Sequence, residues 1–261
     1  MDNLIYILVT LFSTFAGSIS GMGGGVIFKP VFDMLGGYTA SQISVLTCST
    51  VLAMSAVSVG ISAKKFTAEK QYTGTVLPVA AGSLFGGFAG DAVFSALTAN
   101  VNDNAVKTIQ NAVLLALVVM IVFYMRGSKK TLNSGSRLAG LPTGFTLGII
   151  SAFLGIGGGP INVAVLTFVF GFGIKTAVLC SLTSVLVAQA AKFVSIIIHS
   201  GTSAFAIKLL PFMVAAGVAG AIIGRAVNKK LSDRAVNNVY TSIQVIVIAM
   251  CIINIIRFTV I

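Results

Sequence analysis

Two glycine-rich pentapeptides hold the clearest chemistry in this 261-residue chain. Gly21-Met22-Gly23-Gly24-Gly25 recurs as Gly155-Ile156-Gly157-Gly158-Gly159, and each copy interrupts a strongly apolar run. Glycine lets the backbone approach a ligand closely and adopt positive φ. A helix that begins just after such a break presents unpaired N–H groups and a partial positive charge, a ready anion site. Short apolar runs at 26–35 and 160–170 follow the two breaks, too short to cross a bilayer alone, and read as half-helices. Pro160 suits a first helical turn, where its missing N–H costs nothing. Gly23, Gly24, Gly25, Gly157, Gly158 and Gly159 are therefore candidate anion ligands through their backbone.

Other donors lie near these breaks. Ser49-Thr50 and Thr183-Ser184 correspond at the same spacing that separates Gly21 from Gly155, partway through long apolar runs. Their hydroxyls either donate to a bound oxyanion or bond back to their own helix carbonyls. Asn162, at the start of the second half-helix, is a further candidate, and Gln189 is either a helix-packing donor or a pathway residue. Lys29 follows Gly25 by four residues and either helps hold an anion or snorkels; Lys192 is expected to snorkel to the outer face, with a ligand role as the alternative. Either lysine left unpaired near a helix centre costs about 2.5–3.5 kcal/mol on insertion scales. Asp33 and Asp91 have no acid at the corresponding positions of the other half, so no symmetric proton relay is visible. Gly82, Gly86, Gly87 and Gly90, like Gly217, Gly220 and Gly224, recur at helical spacing and read as close helix packing. Cys48, Cys180 and Cys251 read as small packing residues, and His199 as a wet interfacial residue. With no phosphate-binding lysine loop, metal cluster or spaced carboxylate pair, nothing reads as catalytic and no cofactor is expected.

The elements that position these groups are spans. Hydrophobic residues make up 56% of the chain and charged residues 9%, with a mean hydropathy of +1.02. A soluble domain carries about 25% charged residues, so the class is all-α and polytopic in a lipid bilayer. The net charge of +11 is spread in short clusters between apolar runs, as orienting loop charges are, and nucleic acid is not an expected partner. Asp2 stands where a signal peptide would carry positive charge, so no cleaved signal is expected. Long runs fall at 4–20, 43–63, 74–99, 105–125, 138–154, 176–198, 205–228 and 235–256. Further matches in the Gly21-to-Gly155 register, among them Gly37 with Gly171, Gly86 with Gly220, Gly90 with Gly224 and Ala92-Val93 with Ala226-Val227, point to duplication. Repeat one covers 1–125, a basic cytoplasmic linker 126–137, and repeat two 138–261.

Orientation follows from Lys and Arg. If the first two segments of each half form a hairpin that returns to its own side, one side gathers twelve positive charges and the other keeps only Lys107, Lys208 and Arg257. Positive loops stay cytoplasmic. The expected architecture is two inverted repeats of five segments, eight long spans plus two half-helices, with both termini extracytoplasmic. The alternative is eight plain spans in parallel 4+4 repeats.

At the paired glycine motifs, the glycine turns that follow (Gly36-Gly37 and Gly171) and the hydroxyl pairs Ser49-Thr50 and Thr183-Ser184, the chain resembles the TauE/SafE family of sulfite and organosulfur anion exporters. The family commonly has Thr-Ser at the last position; the second copy keeps that order and the first reverses it. Family motifs often place Pro soon after the glycines, matched by Pro30, whereas Pro160 comes earlier. The resemblance implies export of a small inorganic or organosulfur anion across the inner membrane. A passive anion channel using the same breaks, or a membrane subunit docking a soluble partner, remain the alternatives, and a homo-oligomer stays open.

Overall fold

The computed structural model describes residues 2–66, 70–126, 131–132, 137–205 and 207–260. Among them it is all-helical, without strands. Its ten α-helices are α1 (Asp2–Ser20), α2 (Gly25–Leu35), α3 (Ala40–Phe66), α4 (Lys70–Asn100), α5 (Asp103–Arg126), α6 (Arg137–Leu154), α7 (Gly159–Phe170), α8 (Ile174–Ser200), α9 (Leu210–Lys230) and α10 (Asp233–Val260). Seven of them, α1, α3, α4, α5, α8, α9 and α10, are long and apolar enough to cross a membrane. The protein is a multi-pass membrane protein. Eight long spans were expected; the eighth, α6, shows a shorter apolar stretch among the described residues, Ala139–Leu154. Most of the linker 126–137 lies outside the described residues.

The half-helices α2 and α7 are 11 and 12 residues long, as the apolar runs implied. Glycine sets their limits. The turn out of α1 uses Gly21 at φ 76° and Gly23 at φ 62°, and the turn out of α6 uses Gly155 at 64°, Gly157 at 69° and Gly158 at 88°. Side chains rarely adopt these left-handed angles, so the helix cannot run through them. At the other end Gly36 and Gly171 again take positive φ and their N–H groups cap Phe32 O and Thr167 O.

Each half-helix folds back beside the helix before it. The Tyr6 hydroxyl, near the start of α1, donates to Gly36 O at 2.6 Å, just past the end of α2, and the Tyr6 ring meets Phe32 edge-on at 4.7 Å. Residues of α6 and α7, from Pro142 and Leu147 to Ile161 and Val165, line one crevice. The preceding helix is the longer arm in both pairs. Ile19 O accepts from Asn228 at 2.6 Å in the last turn of α9, and Ala152 O accepts from Lys192 of α8 at 2.6 Å.

Close helix seams hold these arms. On α4, Gly82, Gly86 and Gly90 face Gly144, Gly148 and neighbouring backbone of α6; a β-carbon at Gly148 would lie 2.6 Å from Ser83 O. Gly220 and Gly224 of α9 meet Thr14, Phe15 and Ser18 of α1, and Gly87 meets Ala188 of α8. Small residues let backbones approach closely in helices that gain little from burial in lipid. The packing role expected of these glycines is what the structure shows.

Candidate functional site

The two glycine breaks meet in the interior. A β-carbon at Gly23 would lie 2.7 Å from Gly157 O, and one at Gly25 only 2.5 Å from Ile156 O. Gly159 faces Val26, with 3.2 Å to its Cγ2. Val51 of α3 and Val185 of α8, corresponding positions of the two halves, flank this contact against Gly23, Gly157 and Gly158. The Asn162 amide folds over Gly158. Gly24 turns the other way, toward Thr14 of α1, while its N–H donates to Met54 Sδ at 3.3 Å. The breaks are thus packed on one another, backbone to backbone, not spaced around a void.

Polar side chains at ordinary contact distance lie at one end of this contact. Beside Gly155 the nearest atoms to a β-carbon are Ser44 Oγ at 3.6 Å, Thr47 Oγ1 at 3.7 Å and Lys29 Cε at 3.8 Å. The corresponding Gly21 is closed: Val178 Cα would be 2.7 Å away, and the Ser181 hydroxyl already donates to Gly21 O at 2.7 Å. Val178 stands where the other half has Ser44.

Lys29 is neutralised within its own helix. Its Nζ is 3.0 Å from Asp33 Oδ2, and that oxygen also accepts from Asn111 Nδ2 at 3.0 Å. Asn254 Nδ2 of α10 continues the network to Asn111 Oδ1 at 3.2 Å and Pro30 O at 2.8 Å. A buried lysine so compensated avoids the cost of an isolated charge. The partner was legible: Lys29 and Asp33 are spaced i,i+4 on one helix face.

The remaining candidates divide. Ser49 Oγ, Thr50 Oγ1, both amide atoms of Asn162 and Gln189 Oε1 are buried and have no hydrogen-bond partner among the described residues; Ser44 Oγ joins them. Each such group costs about 1–3 kcal/mol unless something satisfies it. Gln189 Nε2 donates to Ser151 Oγ at 3.3 Å. Thr183 instead bonds back to Leu179 O at 3.1 Å, and Ser184 pairs with Ser83 across the α4–α8 contact. Thr50 also packs its methyl against Gly217.

A family model described as Sulfite exporter TauE/SafE matches residues 6–252. The chain belongs to this family. No curated protein and no solved structure matches it. As a TauE/SafE member it is a membrane transport protein of a sulfite-exporter family, whose class of substrate is a small anion.

Two features of this TauE/SafE chain escaped the sequence reading. Ser44 and Thr47, one turn before the hydroxyl pair, lie beside Gly155. Lys192, expected to snorkel, is fully buried: its Nζ lies 3.7 Å from Asp91 Oδ1 and 4.7 Å from the Phe94 ring centroid. No short-range spacing links residues 91 and 192, so nothing local announced the pair. His199 is exposed and lines a cavity. The three cysteines are buried and free.

Proposed function

We propose that this protein is a secondary transporter exporting a small sulfur-containing anion, such as sulfite or sulfoacetate, across the cytoplasmic membrane. The observation that carries the reading is a set of buried, unsatisfied donors: Ser44 beside Gly155, the Asn162 amide over Gly158, and Ser49 and Thr50 further along α3. Donors kept dry at a break between half-helices suit an oxyanion that arrives and leaves, not a permanent structural partner. The anion enters beside Gly155, where Ser44, Thr47 and Lys29 converge, and displaces Asp33 from part of its hold on Lys29. Gly23, Gly24, Gly25, Gly157, Gly158 and Gly159 supply the close-packed pivot and the half-helix N-termini.

Inverted repeats fit the packing. The pairs α1–α9 and α4–α6 exchange when the chain is shifted from Gly21 onto Gly155, and so do α3–α9 and α4–α8. Both hairpins opening to their own side agrees with cytoplasmic Lys and Arg and extracytoplasmic termini. Backbone contact between the breaks favours alternating access over a standing pore. With the inside negative, outward movement of a monoanion gains about 2.3 kcal/mol per 100 mV, so export needs no coupling ion.

The test is sulfite efflux from proteoliposomes under an imposed potential, with thermal stabilisation by sulfite measured in detergent. Saturable efflux with counterflow, lost in Gly158→Leu, is the expected result. Efflux that rises linearly with concentration and lacks counterflow would replace the carrier with a channel.

A further inference from the structure

Two cavities at opposite ends of the helices are built from corresponding residues. One, of about 250 Å3, is lined by Ser62, Lys175, Leu179, Arg225, Asn228 and Lys229. The other, of about 220 Å3, includes Ile196, Ser41, Val45, Asp91, Phe94 and Ser95, the counterparts of those six, in the same order, in the other half of the chain. Duplicated backbone has thus placed the same pocket at both mouths. The charges in the two are opposed. Arg225 occupies the place of Asp91, and Lys175 and Lys229 occupy the places of Ser41 and Ser95.

The basic cavity is organised around its arginine. Arg225 is 3% exposed, its Nη2 donates to Ser62 Oγ at 2.7 Å, and its Nη1 approaches Asn228 Oδ1 at 3.4 Å. Asn228 is fixed in turn by its bond to Ile19 O. A guanidinium held this way is a planar fork of donors whose geometry matches an oxyanion. Lys175 and Lys229 flank it on the water side; Lys175 lies 3.6 Å from Asp233, whose carboxylate is 68% exposed and therefore well screened. In the opposite cavity Asp91 is answered by buried Lys192, and an entering anion meets no exposed lysine among the lining residues.

We infer that the Arg225 cavity is a capture site for a small oxyanion at the cytoplasmic mouth, distinct from the ground beside Gly155. Its direction rests on the export reading above. The basic lining concentrates anions there before the inner passage opens, and the Asp91 cavity, whose acid is spent on Lys192, has no such lining to draw them back. The two faces should therefore differ in apparent affinity, the cytoplasmic one being the tighter.

The experiment uses sulfite with the full-length protein in two formats. Inside-out and right-side-out membrane vesicles give the half-saturation for entry from each face. Separately, amine acylation of Lys229 with and without sulfite, mapped by mass spectrometry, reports occupancy of the cavity without any need for flux. The expected result is a lower half-saturation from the cytoplasmic face and protection of Lys229. Arg225→Gln should raise that half-saturation roughly tenfold to a hundredfold, the worth of one charge-assisted hydrogen bond, and abolish protection. If Arg225→Gln does not fold, the peripheral pair Lys175→Gln/Lys229→Gln should still raise it several-fold. Equal half-saturation from both faces, unmoved by the double variant, together with unprotected Lys229, would overturn the capture site while leaving export standing. Protection of Lys229 without flux in either orientation would overturn export and retain the site. Neither flux nor protection would overturn both.

Discussion

Lys192 and Asp91 offer the sharpest test of how charge is tolerated inside this bundle. The ammonium is completely buried, and the carboxylate of Asp91 is 5% exposed. At 3.7 Å and an effective dielectric of 20, their attraction is about 4–5 kcal/mol. Lys192 also donates to Ala152 O at 2.6 Å and sits over the Phe94 ring, so it keeps some company when Asp91 is lost. Removing one member leaves an uncompensated buried charge, which costs about 3–5 kcal/mol, whereas replacing both by apolar groups of similar volume is often neutral. Asp91→Asn and Lys192→Met should each lower stability by about 3 kcal/mol. The double variant should come back to within about 1 kcal/mol of the parent. Reversible unfolding in mixed micelles titrated with SDS, followed by circular dichroism, measures all four corners of the cycle. Additive losses, with the double variant destabilised by the full sum of the two single variants, would show that the two charges act independently and refute the reasoning.

The two glycines that begin the breaks separate packing from function. Gly155→Ala meets nothing closer than 3.6 Å and should lose only about 1 kcal/mol from its positive φ, yet weaken sulfite-induced thermal stabilisation markedly; Gly21→Ala, against Val178, should melt well below it. A Gly155→Ala protein with unchanged sulfite response would place the anion elsewhere. Tyr240→Phe removes the 2.6 Å bond to Pro160 O and should cost about 1–2 kcal/mol in the same SDS titration. Gly60→Ala, inside α3 with open space around it, should stabilise by about 0.5–1 kcal/mol, and a loss there would contradict the packing described.

Element boundaries were legible because glycine and proline write them locally. The starts of α2 and α7 and the stops at Gly36 and Gly171 follow from backbone angles that few other residues adopt, and the apolar runs match the helices within a few residues. The Gly86, Gly90, Gly220 and Gly224 seams were legible for a similar reason, since helical spacing of small residues has one main use in lipid. The depth at which the breaks sit, and their contact with each other, were not. That contact depends on how the ends of α1 and α6 are held in the bundle, by partners such as Asn228 and Lys192 on helices far away in sequence. The hydroxyl pairs show the same limit. Thr183-Ser184 and Ser49-Thr50 look equivalent as text, yet Ser184 is spent on Ser83, Thr183 on its own helix, and only Ser49 and Thr50 remain unsatisfied.

The seams α1–α9 and α4–α6 also dictate an order of assembly at the translocon. Helix α1 finds its principal neighbour, α9, only after α2 to α8 have been made. Until then, Thr14, Phe15 and Ser18 lack Gly220 and Gly224, the small residues of α9 that close on them. Its nascent chain must wait, in lipid or in the keeping of an insertase, with its first hairpin unfinished. Stalling synthesis before Leu210 should leave α1 open to cysteine-directed labelling at position 14, and release past Lys230 should close it. Each half of this chain is, in that sense, the chaperone of the other.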